Sequence, residues 1–152
     1  MEKIKIALGG DHAGYAYKAE FIKYLNENGY ECINVGTDTS DSVDYPIYAG
    51  KVCELVSSGE CRFGILICGT GIGMSIAANK HKGIRAGLCN STECARLTRS
   101  HNDANVLCLG ARVLSYENAL EILKSFLSEQ FMGEHHIRRI EMLNRLDNNQ
   151  QI

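Results

Sequence analysis

Five short apolar runs punctuate the chain, at Ile4–Leu8, Cys32–Val35, Gly64–Cys68, Ile84–Leu88 and Val106–Leu109. Their length and β-branched content, and the glycine or polar residues around them, mark them as strands. Between them the apolar positions shift to a helical period. Tyr48, Val52, Leu55 and Val56 fall at i, i+4, i+7 and i+8, behind Asp44 as a cap and Pro46 in the first turn, and Gly59 stops the helix. Tyr116, Leu120, Leu123 and Leu127 repeat the pattern behind Ser115. Strands that alternate with amphipathic helices predict parallel strands joined by crossover helices. The expected fold is therefore α/β, a three-layer α/β/α sandwich around a Rossmann-like five-stranded parallel sheet. An extra helix, Glu134 to about Leu146, sets Ile137, Ile140, Leu143 and Leu146 beside Arg138, Arg139 and Arg145. Its apolar stripe packs either on the chain's own sheet or on a second subunit.

A length of 152 residues suits one compact domain spanning 1–152, and no repeat, low-complexity segment or linker interrupts it. Only 147–152 reads as frayed. A net charge of −2, with 22% charged residues, gives no reason to expect a nucleic acid or an acidic membrane as partner. No apolar run is long enough to span a membrane, and Met1-Glu2-Lys3 leads straight into a strand, so a cytoplasmic location is expected. The cysteines number seven, and none forms a Cys-x-x-Cys pair, which argues against a disulfide framework and against a metal site. Most read as small core residues, as Cys108 does within Val106–Leu109.

In open parallel sheets, ligands bind beyond the carboxyl ends of the strands. Those positions are Gly9–Gly14, Gly36–Asp38, Cys68–Gly73, Cys89–Ser91 and Gly110–Arg112. The most informative is Cys68-Gly69-Thr70-Gly71-Ile72-Gly73, where a buried strand runs into a glycine-rich turn that opens a helix over Ile72 to Lys80. Bare backbone N–H groups at a helix start favour an anion or a developing oxyanion. Met74 stands where a dinucleotide fingerprint needs its third glycine, and no Gly-Lys-Ser/Thr phosphate loop occurs. An ordinary turn with a core cysteine is the plain alternative. Asp11 and His12 follow the first strand, His101 and Asn102 precede the fifth, and Arg112 follows it. A thiol, a carboxylate and two histidines around N–H donors can move a carbon-bound proton, hold an oxyanion and shuttle hydroxyl protons. Each also has a bland reading, as a cap, a satisfied surface histidine or a solvated arginine. The residues alone point to a small anionic substrate and leave the reaction open.

Gly10-Asp11-His12, Asp44-Tyr45-Pro46, Ile67-Cys68-Gly69-Thr70-Gly71-Ile72-Gly73, Ser75-Ile76-Ala77-Ala78-Asn79-Lys80, Gly83-Ile84-Arg85-Ala86 and His101-Asn102-Asp103-Ala104-Asn105 together resemble type B ribose-5-phosphate isomerases. Galactose-6-phosphate isomerase subunits share this scaffold. The resemblance spans almost the whole chain. It implies interconversion of ribose 5-phosphate and ribulose 5-phosphate through an enediolate, without metal or cofactor, in the non-oxidative pentose phosphate pathway. Cys68 would be the base, where other members use a glutamate on the following helix and this chain has Met74 and Ser75. His101 would open the furanose ring with Asp11 assisting, Gly69, Thr70, Gly71, Ile72 and Gly73 would hold the enediolate oxygen, and Asn102 would bind sugar hydroxyls. His12 and Arg112 would hold the phosphate, with His135 and Arg139 contributed across a homodimer interface in which 134–147 takes part. A dimer of dimers is the larger assembly the resemblance leaves open. The family reads Gly-Gly-Arg-His where this chain has Gly133-Glu134-His135-His136, so a histidine replaces one phosphate arginine. A six-carbon substrate such as allose 6-phosphate or galactose 6-phosphate, and a non-catalytic ligand-binding module, are the alternative readings.

Overall fold

The computed structural model describes residues 2–152. Strands β1 (Lys5–Gly10), β2 (Glu31–Asn34), β3 (Phe63–Cys68), β4 (Ala86–Leu88) and β5 (Val106–Gly110) alternate with helices α1 (Tyr15–Glu27), α2 (Tyr45–Ser57), α3 (Ile72–Ala78), α4 (Thr92–Ser100) and α5 (Tyr116–Ser128). A last helix, α6 (His136–Asp147), follows. The sheet runs β2-β1-β3-β5-β4 with every pairing parallel, which is the expected α/β architecture. The direction of winding reverses between β1 and β3, the position at which such sheets open a crevice for ligands.

Two cores sit on the two faces of the sheet. Phe21 and Leu25 of α1, Ala95 of α4 and Ile122, Leu123 and Phe126 of α5 pack on one face, against Ile6, Leu8, Ile65, Ile67, Leu107 and Leu109. Ala49, Val52 and Val56 of α2 and Met74 and Ala78 of α3 cover the other, against Ala7, Leu66 and Cys108. The alternation of those strand residues between faces is the period of two that a strand imposes on its side chains. β3 is buried along its whole length, as a strand flanked on both sides and on both faces must be.

The boundaries differ from expectation where a specific interaction intervenes. β4 is confined to Ala86–Leu88 because the side-chain oxygen of Asn105 takes the Arg85 N–H, at 2.8 Å, in place of a ladder bond. α3 stops at Ala78, and Asn79 turns its amide to Ala86 in both directions, accepting its N–H at 2.8 Å and donating to its carbonyl at 3.0 Å. α6 begins at His136, two residues late, because Gly133 and Glu134 are left-handed at φ 71° and 55°. Ser115 caps α5 by accepting the Asn118 N–H, as its position implies, whereas Asp44 occupies the cap position of α2 without a side-chain bond.

Gly14 fixes where α1 starts relative to the site. A Cβ there would stand 2.2 Å from the carbonyl oxygen of Ile67, the residue before Cys68. Overpacking against backbone cannot be relieved by a rotamer change, so Gly14→Ala is expected to lower unfolding stability by about 2 kcal/mol or more, measured by denaturant titration.

Candidate active site

The central strands β1, β3 and β5 end side by side, with Gly10 opposite Ile67 and Cys68 opposite Gly110. Asp11, Cys68 and Arg112 follow from this register at one edge. Cys68 is buried, and its Sγ accepts the Gly71 N–H at 3.2 Å. That bond requires the loop to double back over the strand end. It does so through Gly71, left-handed at φ 80°, whose missing side chain leaves room for the Leu109 backbone, 2.9 Å from where a Cβ would stand. Thr70 Oγ1 accepts the Ile72 N–H at 3.2 Å. Two of the loop's donors are thus engaged within the loop, fewer remaining for a ligand than the glycine pattern suggests. Met74 is core and Ser75 Oγ donates to the Ile72 carbonyl at 2.8 Å, so neither presents a base at the helix start.

Asp11 turns Oδ1 back to the N–H groups of Ala13 and Gly14 at 2.9 and 3.2 Å, which fastens the entry to α1. His12 Nδ1 accepts the Val43 N–H at 3.3 Å. With Nδ1 an acceptor, the ring proton lies on Nε2, the nitrogen facing away from that contact. The segment bearing Val43 is held by a residue that apolar patterning alone does not single out. Lys18, fully buried on the core face of α1, donates to Asn34 Oδ1 at 2.8 Å and Asp38 Oδ1 at 2.7 Å. The Asn34 and Lys18 hydrogen bonds hold the Asp38 carboxyl below its ordinary value. A lysine at the i−3 position of the Phe21 and Leu25 stripe was the available signal. Arg112 is exposed and lies over the loop, its Cδ 3.4 Å from where a Gly69 Cβ would be.

His101 and Asn102 are not beside Cys68, and the expectation that one chain gathers both histidines around the loop is corrected here. They precede β5, whereas Cys68 lies level with its last residue, Gly110. In a parallel sheet the two edges are separated by the strand's length, here about 13 Å of rise over four residues. His101 instead meets the start of α6. Its ring stacks on His136 with centroids 4.4 Å apart and planes 16° from parallel, and His136 meets His135 at 4.0 Å. Burial, then the neighbouring His135, His101 and Arg139, push the His136 imidazole below its ordinary value. His135 and Arg139 are exposed. The candidate residues therefore form two constellations, Asp11, His12, Cys68, Gly69–Gly73 and Arg112 at the carboxyl edge, and His101, Asn102, His135 and Arg139 at the amino edge.

The other cysteines stand apart from this chemistry. All seven are free, and burial pushes the Cys32 thiol up to about 11 and those of Cys53 and Cys89 to about 12. No group of three or more His, Cys, Asp or Glu side chains among the described residues is arranged to hold a metal ion. No helix among them is long and apolar enough to cross a membrane.

Residues 6–143, from β1 into α6, match the family described as Ribose/Galactose Isomerase. The chain belongs to that family. It is accordingly an isomerase. It is 47% identical to ribose-5-phosphate isomerase B of Escherichia coli (strain K12) over 143 residues, 94% of this chain and 96% of that one. Among solved structures, ribose-5-phosphate isomerase B of Clostridium thermocellum superposes with a TM-score of 0.95 at 47% identity, covering 96% of this chain and 99% of its own. The Thermotoga maritima ribose 5-phosphate isomerase gives 0.92 at 48% identity, over 95% and 99%.

Gly71 gives a direct test of the loop geometry. Gly71→Ala meets both a left-handed φ and the Leu109 backbone, so the loop must shift and carry its N–H away from Cys68 Sγ. Turnover is expected to fall at least about tenfold while the protein stays folded at 25 °C, measured by steady-state kinetics beside circular dichroism.

Proposed function

We propose that the chain interconverts ribose 5-phosphate and ribulose 5-phosphate by proton transfer through an enediolate, at a site shared between two copies of a single 1–152 domain. The observation that carries this reading is the separation of the two constellations on opposite sheet edges. One edge offers a sulfur base beside a donor loop, the other an imidazole, an amide and cationic side chains. A second copy, related by a twofold axis as in most homodimers, brings one chain's carboxyl edge to the other's amino edge. Between them His101 and Asp11 open the furanose, and Cys68 Sγ removes the C2 proton of the open-chain aldose and returns it to C1, while the O2 hydroxyl proton passes to O1 and leaves the C2 carbonyl of the ketose. Loop N–H groups stabilise the enediolate oxygen. Asn102 binds sugar hydroxyls, and His12, Arg112, His135 and Arg139 hold the phosphate. The neighbours of this chain named ribose-5-phosphate isomerase support the five-carbon substrate. The reading places the enzyme in the cytoplasm, in the non-oxidative pentose phosphate pathway.

The apolar surface of α6 fits this assembly. Ile137, Leu143 and Leu146 are exposed in a single chain, and Leu143 and Leu146 line a cavity of about 440 Å³ with Asn79, Ile84, Arg85 and Asn102. Exposed apolar side chains beside site residues are what a subunit interface covers.

Mixing two variants that are both impaired on the cyclic aldose phosphate, and assaying the mixture on that substrate, tests the shared site. In a heterodimer of Cys68→Ser and His101→Asn chains, one composite site carries both lesions and the other carries neither. Random equimolar exchange is therefore expected to restore about one quarter of wild-type specific activity, whereas sites confined to one chain would restore none. The base is tested separately. Cys68→Ser is expected to lower turnover, and exchange of the substrate's carbon-bound proton with solvent, at least about 100-fold. Parental exchange in that variant would reassign the base. Comparing five- and six-carbon sugar phosphates in the same coupled assay measures substrate length.

A further inference from the structure

The geometry points to Arg85 as a positioning residue for the turn that carries His101 and Asn102, an inference that rests on His101 being the ring-opening acid. Arg85 Nε donates to the carbonyls of Asn102 at 3.0 Å and Asp103 at 3.1 Å, and its Nη2 to the Asp103 carbonyl at 2.9 Å and Oδ2 at 3.3 Å. Asp103 is left-handed at φ 46°, a conformation that non-glycine residues rarely keep without restraint. The restraint comes from both sides. Arg99 Nη1 donates to Asp103 Oδ1 at 2.9 Å and to the Ala104 carbonyl at 2.8 Å. Arg99 is itself fixed, buried with its guanidinium over the Phe63 and Phe126 rings at 5.0 and 5.8 Å.

What makes Arg85 more than a surface partner is the way its own backbone is held. Asn105 accepts the Arg85 N–H at 2.8 Å and donates to the Gly83 carbonyl at 2.8 Å, while the next residue, Ala86, is paired both ways with Asn79. A planar fork anchored at its root can satisfy two consecutive carbonyls and a carboxylate together, which a lysine ammonium on a flexible stem cannot. The turn so set directs the His101 ring onto His136. Losing the fork frees the turn and with it the imidazole, and small misplacements of a proton-transfer group cost large factors in rate.

The test compares initial rates on the cyclic aldose phosphate and on the open-chain ketose phosphate for the full-length enzyme, Arg85→Lys, Asp103→Asn and His101→Asn. Arg85→Lys is expected to lose about tenfold on the aldose and under about twofold on the ketose, and to add no further loss in a His101→Asn background. Asp103→Asn, which keeps a residue tolerant of the left-handed conformation while removing the carboxylate, is expected to show the same asymmetry more weakly. Where His101→Asn shows the asymmetry, equal losses on both substrates in Arg85→Lys, or full additivity in the double variant, overturn the inference. Hydrogen exchange of the Asp103 and Ala104 amides, which donate to the Arg99 and Thr98 carbonyls at 3.1 and 3.0 Å, separates the two layers of the argument. If His101→Asn lacks the asymmetry, the reading of His101 fails. Faster exchange in Arg85→Lys then still supports the clamp, and unchanged exchange overturns it.

Discussion

Because all five strands run in one direction, a residue that follows a strand and a residue that precedes one lie on opposite edges of the sheet. The rest of the molecule depends on this constraint. It gathers Asp11, Cys68 and Arg112 from the ends of three adjacent central strands, without any long-range side-chain contact to place them. It also sends His101 and Asn102, at the start of β5, to the far side. On the proposed reading the chain therefore carries two halves of a catalytic set that no loop movement of ordinary size would unite, since the strands between them are fully buried and fixed by ladders on both sides.

Much of this was legible in the residues. The strand runs, the Ser115 cap and the glycine turn after Cys68 express local preferences that the tertiary structure does not override, and the alternating pattern gave the layers directly. The separation of His101 from Cys68 was legible in principle too, because position before or after a parallel strand fixes the edge. Grouping the residues by chemistry rather than by strand polarity hid it. Other features leave no periodic trace. Asn79 pairing with Ala86, and Asn105 with Gly83 and Arg85, are side-chain-to-backbone bonds across loops, and an asparagine in a loop reads the same whether it faces water or ties two segments together. Lys18 sits on an apolar stripe, and only the fold supplies the Asn34 and Asp38 oxygens that make its burial tolerable.

Three of the buried polar side chains restrain loops rather than strands. Lys18 holds the segment after β2, Asp11 the entry to α1, and Arg99 the turn before β5. Each charged head is answered by hydrogen bonds to groups that would otherwise be free to move, Nε of Arg99 being left without a partner. A net contribution to stability from such pairs is small, because desolvation offsets most of the attraction. Their effect is conformational, since a loop that departs from its place leaves a charge in the protein interior without partners, at a cost of several kcal/mol. Hydrophobic contacts, which are not directional, cannot impose that penalty on one loop conformation over another.

This is why the short helix α3 matters beyond its length. The glycine that precedes it, Gly71, gives its N–H to Cys68, and the residue that follows it, Asn79, pairs with Ala86, next to the arginine that grips the His101 turn. The segment from Cys68 to Asp103 is thereby tied at both ends by directional bonds, with Met74 and Ala78 of the helix sunk in the core between them. In the proposed twofold assembly each chain would lend its amino-edge half to the neighbour's site and keep its carboxyl-edge half for its own. A rigid element joining the two halves within each chain then fixes the spacing between the two sites as well as the geometry inside each. If the proposed shared site holds, a displaced α3 would disturb the base in one site and the acid in the other, so the helix would be under a constraint that neither site alone would impose.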